Sequence, residues 1–120
     1  MVTKIAKGQF KQQLMAVNND VNQEVFGRGL RSQKVYLMDN TILIVAHNQR
    51  VPALATLDKL GLPTREIDLV LQDSYKSRLK ELIEERLGIA VKSVLKDYDP
   101  KIELSVNVII LEEQLEFKME

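Results

Sequence analysis

The sequence predicts an α+β domain in which two long helices pack on one face of a four-stranded, mainly antiparallel sheet made of two β-hairpins. Two long segments repeat apolar residues at helical spacing, and each is followed by two strand-like segments separated by a turn. Each predicted helix has a single apolar stripe to bury, which favours placing both helices on the same sheet face. The 120 residues fit a single domain, 1–120, and the predicted order is helix, hairpin, short helix, long helix, hairpin.

The first helix is predicted from the spacing of five apolar residues. Steps of 4, 3, 4 and 4 residues place them on one helical face, and they are Phe10, Leu14, Val17, Val21 and Val25. We expect the helix to end at Phe26, because Gly27 can adopt the left-handed conformation that closes a helix.

Residues 34–47 are predicted to form a β-hairpin. The segments KVYLM and TILIVAH flank Asp39 and Asn40, two residue types that tolerate the positive φ of a tight turn. Apolar residues occupy both faces of these strands, so we expect the second sheet face to be covered or to meet another subunit. That second face holds Tyr36, Met38, Leu43 and Val45.

The middle of the chain predicts a short helix and then a long one. Pro52 starts the short helix, which carries Leu54, Leu57 and Leu60, and Gly61 ends it. Thr64 is expected to cap the N-terminus of the long helix, and Gly88 is expected to close it. The apolar face of the long helix consists of Ile67, Leu71, Tyr75, Leu79, Leu82 and Ile83.

The second hairpin is predicted from AVKSVLK and IELSVNVII, which surround the turn DYDPK over residues 97–101. Alternation along the last strand predicts an outward face of Glu103, Ser105 and Asn107. The predicted inward residues of that strand are Ile102, Leu104, Val106, Val108 and Ile110.

Composition excludes several classes of function. The chain has no cysteine, which excludes disulfides, thiolate zinc sites and cysteine nucleophiles. No segment has the apolar length of a signal peptide or a membrane span, so we expect a soluble, cytoplasmic protein that does not insert into membranes. Seventeen basic and 17 acidic residues balance, and the aromatic residues form no stacking motif, so we expect no nucleic-acid partner.

Charge is unevenly distributed along the chain. Residues 1–50 carry seven lysines and arginines against three acidic residues, a net charge of +4. Residues 111–120 carry four glutamates against one lysine, a net charge of −3. The two ends are expected either to pair, within the fold or across a dimer, or to leave the tail solvated.

The loop over residues 27–31, within FGRGLRSQK, has two interpretations. Arg28 and Arg31 supply positive charge, and Gly29 would let backbone N–H groups approach an anion, so these three residues are the candidate ligand-binding set. However, the loop follows a helix, whereas a phosphate-binding loop opens one, and a helix C-terminus repels anions. The alternative is a helix cap and hinge with solvated arginines.

No other residues predict a catalytic set, a metal site or a cofactor. His47 is the only histidine and has no thiol or acidic pair nearby in the sequence. Asp97 and Asp99 lack the repeated spacing of a calcium loop, so we expect them to bond local N–H groups in a turn. The helical glutamates are predicted to be solvated, and these are Glu66, Glu81, Glu84 and Glu85.

Several segments together resemble one family of small bacterial proteins. A helix ending in GRG, the hairpin KVYLMDNTILIVAH, a helix ending in EERLGIAV and the segment KDYDPKIELSVNVIILE are similar to the MpsC-like family. The resemblance extends over residues 10–112. It implies a compact α+β domain and a partnership with a membrane transport system.

The sequence therefore favours a non-enzymatic protein-interaction or regulatory module. We expect it to act as a homodimer, with a membrane transport protein as a candidate partner. The alternative is a sensor of a small anion or nucleotide that uses the loop over residues 27–31.

Overall fold

The computed structural model describes the backbone of residues 2–118 and the side chains of residues 5–118. Three helices and six strands follow one another along this part of the chain. In chain order they are β1 Val2–Ala6, α1 Lys7–Phe26, β2 Ser32–Met38, β3 Thr41–His47, α2 Pro52–Lys59, α3 Arg65–Leu87, β4 Val91–Asp99, β5 Leu104–Leu111 and β6 Glu116–Lys118.

Strands β2 to β5 form the predicted four-stranded sheet. The strand order is β2-β3-β5-β4, and every neighbouring pair is antiparallel. The two hairpins therefore meet through β3 and β5, which are the central strands. Asp39 has a φ of 54° at the tip of the first hairpin, as the predicted tight turn requires.

Helices α1 and α3 pack against each other and on the same face of this sheet, which confirms the predicted arrangement. Both helices end at a glycine in the left-handed region, Gly27 with a φ of 75° and Gly88 with a φ of 67°. The core is built from Phe10, Leu14, Val17 and Val21 of α1, Tyr75, Leu79 and Ile83 of α3, and Ile42, Ile44 and Ile109 of the sheet.

The N-terminal part of α3 departs from the prediction in two ways. Thr64 makes no capping hydrogen bond, because its hydroxyl donates to Asp58 Oδ1 at 3.0 Å instead. Ile67, expected in the core, is 44% exposed. Helices α1 and α3 are antiparallel, and α1 ends at Phe26, which contacts Tyr75 of α3. The turns of α3 before Tyr75 therefore extend past the end of α1, and α1 does not cover Ile67.

The two faces of β5 are the reverse of those predicted. Ser105 and Asn107 are each 1% exposed and share the helix-covered face with Ile109, whereas Val106 and Val108 are half-buried on the outer face. Apolar residues occur in both phases of the strand, so alternation alone does not decide which face is inside. The buried polar positions are accommodated because side chains of the helices and loops bond to them. Ile102, also expected inward, lies in the turn and is 60% exposed.

A short parallel pair of strands joins the two ends of the described chain, and the sequence did not predict it. Strand β1 pairs with β6, with Val2 opposite Glu116 and Ala6 opposite Lys118. Phe117 of β6 makes an edge contact with Phe10 of α1 at 5.2 Å between ring centroids. The backbones of the two ends therefore meet within the fold, and the pairing of their charges stays a prediction.

The second hairpin turns later than predicted, because β4 continues to Asp99 and the turn begins at Pro100. The two aspartates bond local N–H groups as expected, Asp97 to Tyr98 N at 2.8 Å and Asp99 to Lys101 N at 3.0 Å. Within residues 2–118, no helix has both the length and the apolar character needed to cross a membrane.

Candidate functional site

The loop over residues 27–31 closes helix α1, as predicted, and also lines one side of a pocket. Gly27 closes α1, and its N–H donates to Gln23 O at 2.9 Å. Arg28 and Gly29 line the pocket described below, whereas Arg31 is exposed and does not line it. The Arg31 N–H donates to His47 O at 3.0 Å. The structure thus brings together two of the three candidate residues.

Gly29 lies against α1, and its role is close packing. A β-carbon on Gly29 would lie 2.7 Å from Asn19 Oδ1. That oxygen accepts a 2.9 Å hydrogen bond from Leu30 N, so Asn19 holds the loop against the helix. The close approach of this side chain, rather than a positive φ, therefore favours glycine here.

The pocket lies between the C-terminal end of α1, the segment after β3, helix α3 and strand β4. The enclosed part of the pocket is small, about 30 Å³, and the empty space counted out to the open mouth is about 460 Å³. Its apolar lining residues are Phe26, Val51, Leu54 and Leu71, and its charged lining residues are Arg28, Arg50, Asp68 and Lys96.

Two of the charged residues in the pocket, Arg50 and Asp68, form an ion pair. Arg50 bonds Asp68 through two parallel hydrogen bonds, Nη1 to Oδ1 at 2.5 Å and Nη2 to Oδ2 at 3.0 Å. The Arg50 side chain is only 8% exposed, and this pairing raises its pKa above the ordinary value. Arg28 and Lys96 remain as an excess of positive charge in the lining.

Lys96 is held against aromatic rings and not against a carboxylate. Its ammonium lies 3.7 Å from the ring centroid of Tyr75 and 4.8 Å from that of Phe26. Burial, with a smaller contribution from the positive charge of Lys76, lowers the pKa of Lys96 to about 7. Among the described residues, no acidic side chain forms an ion pair with Lys96.

Beneath the pocket, buried amide side chains form a connected polar network. Asn48 Nδ2 donates to Asn22 Oδ1 at 2.6 Å, and Asn22 Nδ2 in turn donates to Asn18 O at 2.8 Å. Ser105 donates its hydroxyl to Asn48 Oδ1 at 2.6 Å, and the Tyr98 hydroxyl donates to Asn48 O at 2.8 Å. Asn48 therefore joins α1 to both strands of the second hairpin.

The same network continues to the centre of the core through Tyr75. The Tyr75 hydroxyl donates to Asn18 Oδ1 and accepts from Asn107 Nδ2 at 3.0 Å. Burial raises the pKa of Tyr75, so this hydroxyl stays neutral. Within the part of the chain that the structure describes, Asn107 Oδ1 is a buried side-chain oxygen with no hydrogen-bond partner.

Arg50 also connects helix α2 to the rest of the protein. Its guanidinium bonds Asp58 of α2, Nε to Oδ2 at 2.9 Å, and Thr64, Nη2 to Oγ1 at 3.0 Å. The backbone N–H of Arg50 donates to Glu103 Oε2 at 2.5 Å. Because α2 packs little against the main helices and strands, this ion cluster is its principal polar anchor.

The outer face of the sheet, opposite the helices, has an apolar centre on β3 and β5 and mixed apolar and polar residues on the edge strands β2 and β4. Its most exposed apolar members are Tyr36, Met38 and Leu95, at 45%, 51% and 56%. One cross-strand row runs Tyr36, Leu43, Val108, Leu95, so the apolar surface reaches from edge to edge. The four outer-face residues predicted from the sequence all lie on it.

The other residues considered from the sequence lie apart from the pocket. His47 is exposed at the end of β3, and Asp97 and Asp99 lie on the edge strand β4. Among the described residues, no group of three or more His, Cys, Asp or Glu side chains is placed to hold a metal ion.

Sequence reasoning missed the residues at the centre of the site. Lys96 follows Val94 by two residues, and an inward-facing position for lysine on a strand was the available signal. Asn18 and Asn22, spaced by four, lie beside the buried stripe of α1. Arg50 had no local signal, since its two carboxylate partners lie 8 and 18 residues away.

Comparison with known families gives one match that covers nearly the whole chain. The family model described as "Na+-translocating membrane potential-generating system (MpsC)" matches residues 6–113, which confirms the resemblance seen in the sequence. Neither the curated proteins nor the solved structures gave a match to this chain.

Proposed function

Since the chain belongs to the MpsC family, we propose that it is a non-enzymatic, regulatory protein-interaction module that forms a homodimer and serves a membrane ion-transport system. The observation that carries this proposal is an apolar outer sheet face whose two edges bear opposite charges. The family description suggests the transport system, and the sheet face offers a means of association.

The size of the outer face suits an interface. Four strands about 4.8 Å apart, with about seven residues each rising about 3.3 Å, give a face of roughly 400 Å². The apolar part of this face is smaller, because Lys34 and Asp97 also lie on it, but exposed apolar patches of a few hundred Å² often mark interaction surfaces. A standard interface uses about 800 Å² of each partner, so we expect a weak dimer that forms at about 100 μM.

Charges at the edges of the face favour a second copy of the chain as its occupant. One cross-strand row runs Lys34, Val45, Val106, Asp97, with the lysine on edge strand β2 and the aspartate on edge strand β4. Lys34 and Asp97 are both exposed. A surface with opposite charges at its two edges is complementary to itself.

This charge arrangement selects one dimer geometry. A twofold axis parallel to the strands turns the sheet over and lays β2 of one subunit on β4 of the other. Lys34 then faces Asp97 of the partner subunit, twice by symmetry, while Tyr36 meets Leu95 of the partner subunit. An axis perpendicular to the strands would instead bring Lys34 near its own symmetry copy, which is unfavourable. Face-to-face sheets pack about 10 Å apart with a small crossing angle, which aliphatic side chains fill.

Sedimentation equilibrium tests the role of the face. We expect the wild-type protein to be dimeric at about 100 μM and Leu95→Lys to be monomeric, because the variant places a charge in a desolvated contact. Val70→Lys is the matched control, since Val70 is 68% exposed on α3, away from the sheet face. A wild-type protein that is monomeric at this concentration would overturn the homodimer.

A charge exchange tests the geometry. Lys34→Asp and Asp97→Lys each replace two attractive contacts with two repulsive ones, so each should weaken dimerisation about tenfold, or about 1.4 kcal/mol. The double variant restores opposite charges and should return to within about threefold of wild type. Single variants that leave dimerisation unchanged would contradict the proposed axis but not the use of the face.

The partnership with a transport system has its own test. The wild-type protein is used to capture partners from a detergent extract of its native cells, with an unrelated small α+β domain as the control bait. We expect selective enrichment of an integral membrane transport protein. Enrichment equal to that of the control bait would contradict this part of the proposal and leave the homodimer in place.

A further inference from the structure

We propose that the pocket between α1, α3 and β4 binds a small organic anion, a carboxylate or phosphate ester with a compact apolar body, and that Lys96 and Arg28 bind its charged head. This would add a ligand-responsive site to the proposed interaction module. The pocket lies on the helix side of the sheet, so the inference does not depend on the dimer.

The charge of the lining selects an anion. The charged residues of the lining are three cations, Arg28, Arg50 and Lys96, and one carboxylate, Asp68. Arg50 is shared between Asp68 and Asp58 of α2, so it is already engaged by carboxylates. Arg28 bonds the neutral amide of Gln49, and Lys96 contacts two aromatic rings. Among the described residues, neither Arg28 nor Lys96 forms an ion pair with a carboxylate.

The end of helix α1 opposes this charge only weakly. Its C-terminal turn contributes Asn22 and Phe26 to the lining, and a helix C-terminus carries a partial charge of about −0.5. The positive charges of Arg28 and, below about pH 7, of protonated Lys96 outweigh it. The Gly27 N–H also returns to the helix, to Gln23 O, and covers one of the free carbonyl groups. The sequence alone argues against an anion at this loop, because a helix C-terminus repels anions. Lys96 of β4 supplies the positive charge that compensates for this repulsion.

The rest of the lining selects an apolar body. Phe26, Val51, Leu54 and Leu71 surround the space, and Leu54 is 5% exposed. The hydroxyl of Tyr98, which also lines the pocket, already donates to Asn48 O at 2.8 Å. A ligand with a small hydrocarbon or aromatic body and one anionic head satisfies both parts of the site.

Titration calorimetry with four probes tests the proposal. Benzoate, phenyl phosphate and inorganic phosphate are anions, and benzamide is the neutral counterpart of benzoate. We expect saturable binding of at least one organic anion and at least about tenfold weaker binding of benzamide. Preference between benzoate and phenyl phosphate identifies the head group. Inorganic phosphate that binds as tightly as phenyl phosphate would contradict the apolar body.

Two matched pairs of variants assign the binding residues. Lys96→Met should weaken binding of the preferred anion at least about tenfold, whereas Lys92→Met, an exposed lysine on the same strand, should not. Arg28→Gln should weaken binding as well, whereas Arg31→Gln should not. Benzamide binding equal to that of benzoate, no saturable binding of any anion at about 10 mM, or a Lys96→Met variant that binds as wild type would each overturn the proposal.

The pKa of the Lys96 ammonium gives a test of anion binding in the wild-type protein, without a variant. The groups around it are Tyr75 and Lys76 of α3, Phe26 of α1, Tyr98 of its own strand, and Arg28, Arg50 and Asp68 across the pocket. An anion beside the ammonium should raise the pKa of Lys96 above about 7. Affinity for benzoate, which keeps its charge in this range, should therefore fall as the pH rises above about 7. A nuclear magnetic resonance titration of the Lys96 Cε signal that is unchanged by a bound anion would contradict contact with Lys96.

Discussion

Tyr75 of helix α3 and Asn107 of central strand β5 meet in the middle of the core, where the Asn107 side-chain amide donates to the tyrosine oxygen at 3.0 Å. Tyr75 is fully buried, and its hydroxyl also bonds Asn18 of α1. One hydroxyl group thus joins both long helices to the sheet. Bonds of this kind fix the relative positions of elements, because a buried polar group left without a partner is costly.

Removing that hydroxyl should destabilise the fold. Tyr75→Phe leaves the Asn107 amide without its acceptor and deprives Asn18 of a donor, so we expect a loss of about 1–3 kcal/mol in the free energy of unfolding. Tyr36→Phe, on the exposed outer face, is the control and should change stability by less than about 0.5 kcal/mol. Urea denaturation measures both. Equal stability of the two variants would mean that the network contributes nothing net.

The reversed faces of β5 explain why this contact could not be foreseen. The sequence correctly predicts the strand, because its apolar residues alternate, but Val106, Val108 and Ile109 occupy both phases. A buried position for Asn107 can be predicted only if its hydrogen-bond partner Tyr75, which also bonds Asn18, is known to lie on the same sheet face. Tyr75 lies 32 positions before Asn107 and Asn18 lies still earlier in the chain, so no local pattern carries that information.

By contrast, the helices and hairpins were predictable because their signals are local. Gly27 and Gly88 end helices, and Asp39 forms a hairpin tip, through the backbone conformations that these residues favour. The pocket combines residues from four separate segments, so only its Arg28 and Gly29 side could be proposed from the sequence. Lys96 could not be assigned to the pocket from the sequence, because it reaches the end of α1 only through the position of β4 in the folded protein.

Alanine substitutions at the two glycines of the loop, Gly27 and Gly29, should lower the free energy of unfolding for different reasons. Gly27→Ala places a β-carbon at a φ of 75° with no neighbouring atom within 4 Å, so we expect a strain cost of about 1 kcal/mol. Gly29→Ala brings the new β-carbon to 2.7 Å from Asn19 Oδ1 and should break the bond from Leu30 N, at a cost of about 1–2 kcal/mol.

A double variant separates strain from collision. Adding Asn19→Ala should recover part of the loss in Gly29→Ala, because it removes the colliding atom, but none of the loss in Gly27→Ala. Arg28→Ala and Arg31→Ala are surface controls and should each stay within about 0.5 kcal/mol of wild type. An arginine variant more damaging than either glycine variant would show that the loop is held by its side chains.

Arg50 is expected to determine whether α2 stays attached. Arg50→Met removes the guanidinium that bonds Asp58, Thr64 and Asp68, and leaves Asp68, 21% exposed, without its partner. We expect a loss of about 2 kcal/mol, lower than for a wholly buried pair because the carboxylates reach solvent. Arg65→Met, an exposed arginine nearby, is the control. Hydrogen exchange should show faster opening of α2 in Arg50→Met alone.

The same cluster predicts a dependence of stability on acid. The hydrogen bond from Arg50 lowers the pKa of Asp58 below the ordinary value of 3.8. A carboxyl group whose folded pKa is lowered stabilises the protein above its unfolded pKa, and this contribution is lost as the pH falls through the folded pKa. Stability should therefore fall more steeply below about pH 4 in wild type than in Arg50→Met. Parallel curves from pH 7 to pH 2 would contradict the coupling.

Lys96 should destabilise the folded protein at neutral pH, and replacing it should reveal this. Its pKa is lowered from 10.5 to about 7, so between these values the unfolded chain binds more protons and stability rises with pH. The penalty is complete below pH 7 and absent above about pH 10.5. Lys96→Met keeps the aliphatic stem against Tyr75 and Phe26 without the charge. We expect the variant to be more stable than wild type by up to about 5 kcal/mol at pH 6, with the difference shrinking toward zero by pH 10.5.

Chemical denaturation at pH 6, 8.5 and 10 measures this difference, and Lys92→Met, an exposed lysine on the same strand, should show none at any pH. The two aromatic contacts of Lys96 act in the opposite direction, because a ring face attracts an ammonium by about 0.5–2 kcal/mol. If those contacts outweighed burial, Lys96→Met would be less stable than wild type at pH 6. A more stable variant would instead identify Lys96 as a residue retained at a cost to the fold, as expected for a lysine that serves a ligand.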